Sequence, residues 1–183
     1  MTRKPLLLIA VLLLSQLAFA QPQTTEPVTT VFLLRHAERA EEPRQDPPLT
    51  EKGTARSQEL ARLLSTAGIK AIFTSQFART KLTAEPLAKQ LGITPTAQTL
   101  KSNASNPRQI AEESTKETVD KIMAHAGGSV LVVGHSNSIP DVIKMLGGDV
   151  TPVIDEKKFD DLFIVTVYAK GKAKVTHLKY GSE

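Results

Sequence analysis

Val31-Phe32-Leu33-Leu34-Arg35-His36-Ala37-Glu38 is the stretch whose reading decides this chain. Its first four residues are apolar, with β-branched and aromatic character. Parallel strands covered on both faces have such continuous hydrophobic runs. The run stops abruptly at Arg35 and His36. In an open α/β sheet, ligands and chemistry sit at the carboxyl ends of the strands. A guanidinium beside an imidazole at that position suits an anion and a nucleophilic ring.

Outward from this stretch, the chain divides into a leader, a linker and one domain. Of the 183 residues, the first twenty hold Arg3 and Lys4, an apolar run from Leu6 to Leu14, and Ala18-Phe19-Ala20. That order is the pattern of a secretory signal peptide cleaved after Ala20. The apolar run is short for a bilayer span, so no membrane anchor is expected after cleavage and the expected location is periplasmic or secreted. Residues 21–28, rich in Thr, Gln and Pro, read as a linker, and 29–183 as the domain. The chain has no cysteine, hence no disulfide framework and no lipid-attachment cysteine. A domain of about 150 residues can rely on its core alone. Without Arg3 and Lys4, 21 basic residues face 19 acidic ones, and aromatic content is 4% with no Trp. Neither feature fits a nucleic-acid partner.

Taken in order, Thr50 is a candidate N-cap for a helix over 51–66 that presents Ala55, Leu60, Leu63 and Leu64 on one face, closed by Gly68. A second strand over 71–74 leads through Ser75 into a helix over 77–91, with Arg79 in its first turn. Pro86 inside that helix predicts a kink or a break. A third strand is expected within 93–100 and a long helix over 107–126, stopped by Gly127-Gly128. The clearest strand, 129–134, runs into His135-Ser136-Asn137, followed by a helix over 139–146. Strands 161–169 and 172–178 flank Lys170-Gly171 as a closing hairpin. Alternating strands and helices predict a three-layer α/β/α sandwich with a mostly parallel sheet.

Three of these strands end in groups suited to a phosphate: Arg35 and His36, then Ser75 and Arg79, then His135. Two guanidiniums can hold non-bridging oxygens by bidentate, charge-assisted bonds and offset the charge of a phosphoryl-transfer transition state. Of two imidazoles, one can attack phosphorus through a neutral nitrogen while the other, protonated, binds an oxygen.

RHAE, DPPLTEKG, TSQFARTKLTAEPLA and VLVVGHSNSIP, in this order and spacing, resemble the histidine phosphatase superfamily with its phosphoglycerate mutase-like fold. The resemblance covers residues 28 to about 169. It implies that His36 becomes phosphorylated, that Arg35 and Arg79 bind the phosphoryl group, that His135 completes the pocket, and that no metal or other cofactor takes part. Asp46 to Gly53 matches the family's loop-to-helix junction, which is largely structural. Ala37 stands where the family usually has Gly. The proton donor also departs: residues 99–106 contain no carboxylate, and His135 is followed by Ser136-Asn137 rather than by Asp. Glu38 is the nearest carboxylate in sequence. It either acts as general acid or pairs with a neighbouring arginine.

The expected function is therefore an exported phosphatase acting on phosphate monoesters through a phosphohistidine on His36. The expected substrate is a small phosphorylated molecule, such as an envelope sugar phosphate; oligomeric state stays open. Two alternatives stand beside it. One is a pseudophosphatase that binds phosphorylated ligands. The other is a serine esterase, since Gly134-His135-Ser136-Asn137-Ser138 imitates a nucleophile elbow with Asp160 and His177 downstream. His36, His125, His135 and His177 lack zinc-like spacing, and His125 reads as a helix-end residue.

Overall fold

Alternation along one strand sets the layers. In β1 (Thr29–Arg35), Val31 and Leu33 face one way while Phe32 and Leu34 face the other, and all four are buried. The same holds for β4 (Ser129–Gly134), where Val130 and Val132 join one core and Leu131 and Val133 the other. A strand buried on both faces needs a helical layer on each. Leu60, Ala61 and Leu64 of α1 (Glu51–Leu64) and Ala84, Leu87 and Ala88 of α2 (Ala78–Leu91) cover one face. Ile122 of α3 (Glu112–Met123) and Ile139, Val142 and Ile143 of α4 (Ile139–Met145) cover the other. The computed structural model describes residues 27–181, so the leader over 1–20 and linker positions 21–26 lie outside the described residues.

The remaining strands are β2 (Ile69–Ser75), β3 (Thr96–Gln98), β5 (Asp161–Ala169) and β6 (Lys172–Lys179), in the sheet order β3-β2-β4-β1-β5-β6. The first four in that order are mutually parallel, and β5 runs antiparallel to β1 and β6. This is the α/β/α sandwich with a C-terminal hairpin that the alternation of elements predicts. Gly171, at φ +74°, makes the hairpin turn.

Three elements differ from the sequence reading. β3 is only three residues long, because Pro95 lacks a ladder donor and the strand pairs with β2 alone. The helix expected over 107–126 begins at Glu112 instead. The backbone of 101–111 folds back on itself, with Asn103 N–H on Gln109 O at 2.9 Å and Ala111 N–H on Lys101 O at 2.9 Å. α2 continues through Pro86 without a break.

The start of α1 is fixed by contact with the end of β1. Thr50 donates its N–H to the Glu38 carbonyl (2.9 Å) and caps the Gly53 N–H with its hydroxyl (3.0 Å). A Cβ on Gly53 would lie 2.2 Å from that same carbonyl oxygen. Only glycine allows the helix to seat this close to the loop that follows His36. Gly53→Ala is expected to cost about 1–3 kcal/mol of stability, the range for overpacked sites, measured by urea unfolding at neutral pH.

Candidate active site

The strand register places the chemistry. Arg35 of β1 lies opposite Gly134 of β4, and Thr74 of β2 opposite Val133. The three ends therefore finish at one level, with Ser75 the last residue of β2 and His36 and His135 the next residues outward from β1 and β4. The His36 N–H closes the ladder on Gly134 O at 3.0 Å. The two rings meet edge to face with centroids 5.4 Å apart. A cleft of about 450 Å³ opens over them, with Arg35, His36, Arg79 and His135 in its lining.

Each ring is held by one nitrogen. His36 Nδ1 lies 2.7 Å from the Ala37 carbonyl oxygen. A carbonyl only accepts, so Nδ1 carries the proton and Nε2 keeps its lone pair. Burial first, together with the nearby arginines, lowers the His36 pKa to about 4, against a weaker opposing pull from the Ala37 carbonyl. The ring is neutral at physiological pH. Ala37 itself is fully buried and gives its N–H to Thr83 Oγ1 (2.9 Å), whose hydroxyl is 2.7 Å from the Arg79 carbonyl. The nucleophile loop and the helix bearing Arg79 are thereby tied together.

His135 Nε2 lies 2.9 Å from Ser75 Oγ, which contacts Thr80 Oγ1 at 2.9 Å. Burial, then the Arg79 and His36 charges, lowers its pKa to about 3. This corrects the expectation of a protonated second ring for the free protein. A neutral His135 can still donate from Nδ1 when the Ser75 hydroxyl supplies the proton shared with Nε2.

The guanidiniums are clamped on their outer sides. Arg35 Nη1 donates to the carbonyls of Asp155 (3.2 Å), Glu156 and Lys158 (3.2 Å), and its carbon sits 4.3 Å from the Phe159 ring centroid. Arg79 lies 4.2 Å over Phe77 and 3.8 Å from Asp46, whose carboxylate also caps the Ala78 N–H at 2.8 Å. The Nε–H of each arginine is buried and has no hydrogen-bond partner among the described residues. Unpaired buried donors are costly, and two of them beside two imidazoles are complementary to an oxyanion.

Glu38 does not join this group. Arg56 grips its carboxylate through Nε (2.9 and 3.1 Å) and Nη2 (2.9 Å), and it is absent from the cleft lining. Partial burial opposes its charge, yet the Arg56 bonds outweigh this and hold the carboxyl below the usual carboxylate range. Of its two sequence readings, general acid or partner of an arginine, the geometry gives the second. The esterase triad is not assembled either. Ser136 lines the cleft, but His177 stands on edge strand β6, 2.6 Å from Asp161 and stacked on Phe163, while Asp160 pairs with Lys179. His125 lies just past α3, its ring tilted against Phe73 at 5.8 Å. Among the described residues no three His, Cys, Asp or Glu side chains cluster as a metal site.

The sequence reading missed the carboxylate that does line the cleft, Glu156, together with Arg39 and Arg108. Glu156 belongs to the loop before β5. Because β5 is antiparallel to β1, that loop arrives at the same end of the sheet as His36. The hairpin pattern was the available signal.

Comparison with known proteins bears on the fold. The model of the histidine phosphatase superfamily (branch 1) matches residues 31–102. The fold of the chain is similar to that of the protein histidine phosphatase SixA, solved with tungstate (TM-score 0.63, 20% identity, 82% of this chain and 96% of that one). It is similar also to phosphoglycerate mutase from Bacillus anthracis (0.63, 18%, 84% and 94%). A mycobacterial glucosyl-3-phosphoglycerate phosphatase shares it as well (0.61, 14%, 85% and 100%). No curated protein matches the chain by sequence.

Two measurements check this site. Both histidines have folded pKa values below the unfolded 6.5, so between pH 6.5 and about 4 the unfolded chain binds more protons. Their contribution is complete above pH 6.5 and is lost progressively as the pH falls toward 4 and 3. The thermal midpoint should drop over that range, and His36→Gln/His135→Gln should show a shallower drop. Separately, Glu38→Gln should cost about 1–3 kcal/mol of stability by breaking a partly buried charged bond. The affinity of that variant for phosphate, read by calorimetry, should stay at the wild-type value.

Proposed function

We propose that this protein is a phosphate monoester hydrolase that works through a phosphohistidine on His36. The observation that carries the reading is the state of His36. Its proton is fixed on Nδ1 by the Ala37 carbonyl, and the neutral ring shares its cleft with Arg35 and Arg79, whose buried Nε–H groups have no partner among the described residues. In the first step Nε2 attacks phosphorus and the ester oxygen leaves. Arg35, Arg79 and His135 hold the three non-bridging oxygens, where positioning and fixed charge supply most of the rate. Water then displaces phosphate from the imidazole. The guanidiniums stay charged throughout, so the chemistry needs protons to move only at the nucleophile, the leaving group and water.

The leader pattern over 1–20 supports an activity outside the cytoplasm, on a small phosphorylated molecule such as an envelope sugar phosphate. The family match supports phosphatase chemistry, and one structural neighbour is named for a phosphate ester of a glycosylated acid. The cleft volume of about 450 Å³ suits a ligand of that size.

The test is phosphate release from p-nitrophenyl phosphate and a panel of sugar phosphates, in EDTA, by wild type, His36→Ala and Arg79→Ala. Radiolabelled substrate should leave an acid-labile phosphate on the wild type and none on His36→Ala. His36→Ala should abolish turnover, and Arg79→Ala should lower kcat about 10²–10³-fold, as for loss of one transition-state donor. Full activity in His36→Ala would overturn the reading. Cell fractionation of the full chain would place the processed protein in the periplasm or the medium.

A further inference from the structure

The proposed reaction lacks one part: something must protonate the departing ester oxygen. Phosphate esters of sugars and other alcohols have poor leaving groups, and positioned proton transfer is worth about 10²–10⁴-fold in such steps. Glu38 is committed to Arg56, and Asp46 to the Ala78 N–H and Arg79. The Asp155 carboxylate accepts from the Lys157 N–H at 2.9 Å. Glu156 is different. It lines the cleft together with His36 and His135, is exposed, and makes no side-chain hydrogen bond or ion pair among the described residues.

Its backbone, by contrast, is anchored. Arg35 Nη1 donates to the carbonyls on Asp155, Glu156 and Lys158, so the guanidinium that would grip the phosphoryl group also carries the Glu156 backbone beside it. Of the carboxylates acting on Arg35, Glu156 has the strongest influence. Phe159 of the same loop packs on both Arg35 (4.3 Å) and His36 (6.0 Å), which fixes the loop against the nucleophile as well. The result is an exposed carboxyl, without a side-chain partner among the described residues, on a backbone anchored at the wall of the cleft.

We propose that Glu156 is the general acid and base of this phosphatase, an assignment that rests on the phosphohistidine reading above. In the first half, the N–P bond forms from the His36 Nε2 lone pair as the P–O ester bond breaks. The electron pair leaves on the ester oxygen, which takes the Glu156 carboxyl proton to give the free alcohol. In the second half, a water oxygen bonds to phosphorus while one of its protons passes to the Glu156 carboxylate. The N–P electron pair returns to Nε2, phosphate leaves, and the carboxyl is again protonated for the next ester.

The test compares leaving groups. For Glu156→Gln and wild type, kcat/KM is measured with p-nitrophenyl phosphate, whose phenolate leaves unaided, and with glycerol phosphate, whose alkoxide does not. The expected result is a fall of about 10²–10⁴-fold for the glycerol ester and of less than about tenfold for the phenyl ester. Labelled p-nitrophenyl phosphate should also leave more phosphohistidine on the variant than on wild type, because water has lost its base. Equal losses on both esters would mean a packing role for Glu156 and would overturn the assignment, as would no loss on either. Failure of the underlying reading looks different: wild type itself would then form no phosphohistidine.

Discussion

The register of three parallel strands is the constraint on which everything else in this protein depends. Arg35 lies opposite Gly134 and Thr74 opposite Val133, so β1, β4 and β2 end at one height. With β4 between the others, His36 and His135 leave adjacent strands side by side, and Ser75 at the end of β2 reaches His135 from the other side. A slip of one residue in either pairing would turn side chains to the opposite face and separate the two rings. The register is in turn held by burial, because Val31 to Leu34 and Val130 to Val133 each fill both cores and cannot shift without exposing one of them. Gly134 completes the arrangement: a Cβ there would meet Ser138 Oγ at 2.7 Å and Ile139 at 2.8 Å. The tight turn that brings His135 back over the sheet depends on that missing side chain.

Inside the cleft, charge and neutrality are divided between residue types by their intrinsic proton affinities. Burial acts on all four groups, and nearby positive charge adds to it. The imidazoles respond by losing their protons, at about 4 and about 3. Guanidiniums cannot respond in that way, so their charge must be stabilised where it is. The carbonyls of Asp155, Glu156 and Lys158 and the faces of Phe159 and Phe77 do this on the outer sides. The cleft that the four groups line holds fixed positive charge together with uncharged, nucleophilic nitrogen. One physical setting thus produces both an anion site and a reactive ring.

How far the sequence revealed this depended on the range of each interaction. β1, β4 and the closing hairpin were legible, since a doubly buried strand and a Lys-Gly turn leave local patterns. Arg35, His36, Arg79 and His135 could be named because each follows a strand end directly or within one helical turn. The start of α3 was not legible, because residues 107–111 have helical composition but spend their backbone bonds on 101–103. Glu38 was ambiguous for a similar reason. Its partner Arg56 lies a full loop and a helical turn away, and only the seating of α1 on Gly53 brings the two together. Glu156 was not singled out as a site residue, being far from His36 in the chain.

The sequence by itself determined the layered α/β architecture, the ends of the strands and the types of side chain delivered there. These follow from hydrophobic periodicity and turn chemistry, which act within a few residues. Only the tertiary structure decided which carboxylate faces the cleft and which is consumed by an ion pair, and which nitrogen of each imidazole is engaged. The reason is that these outcomes turn on how the elements come together, through contacts such as Glu38–Arg56, Ser75–His135 and Arg35–Asp155, which select among groups that look alike in the chain.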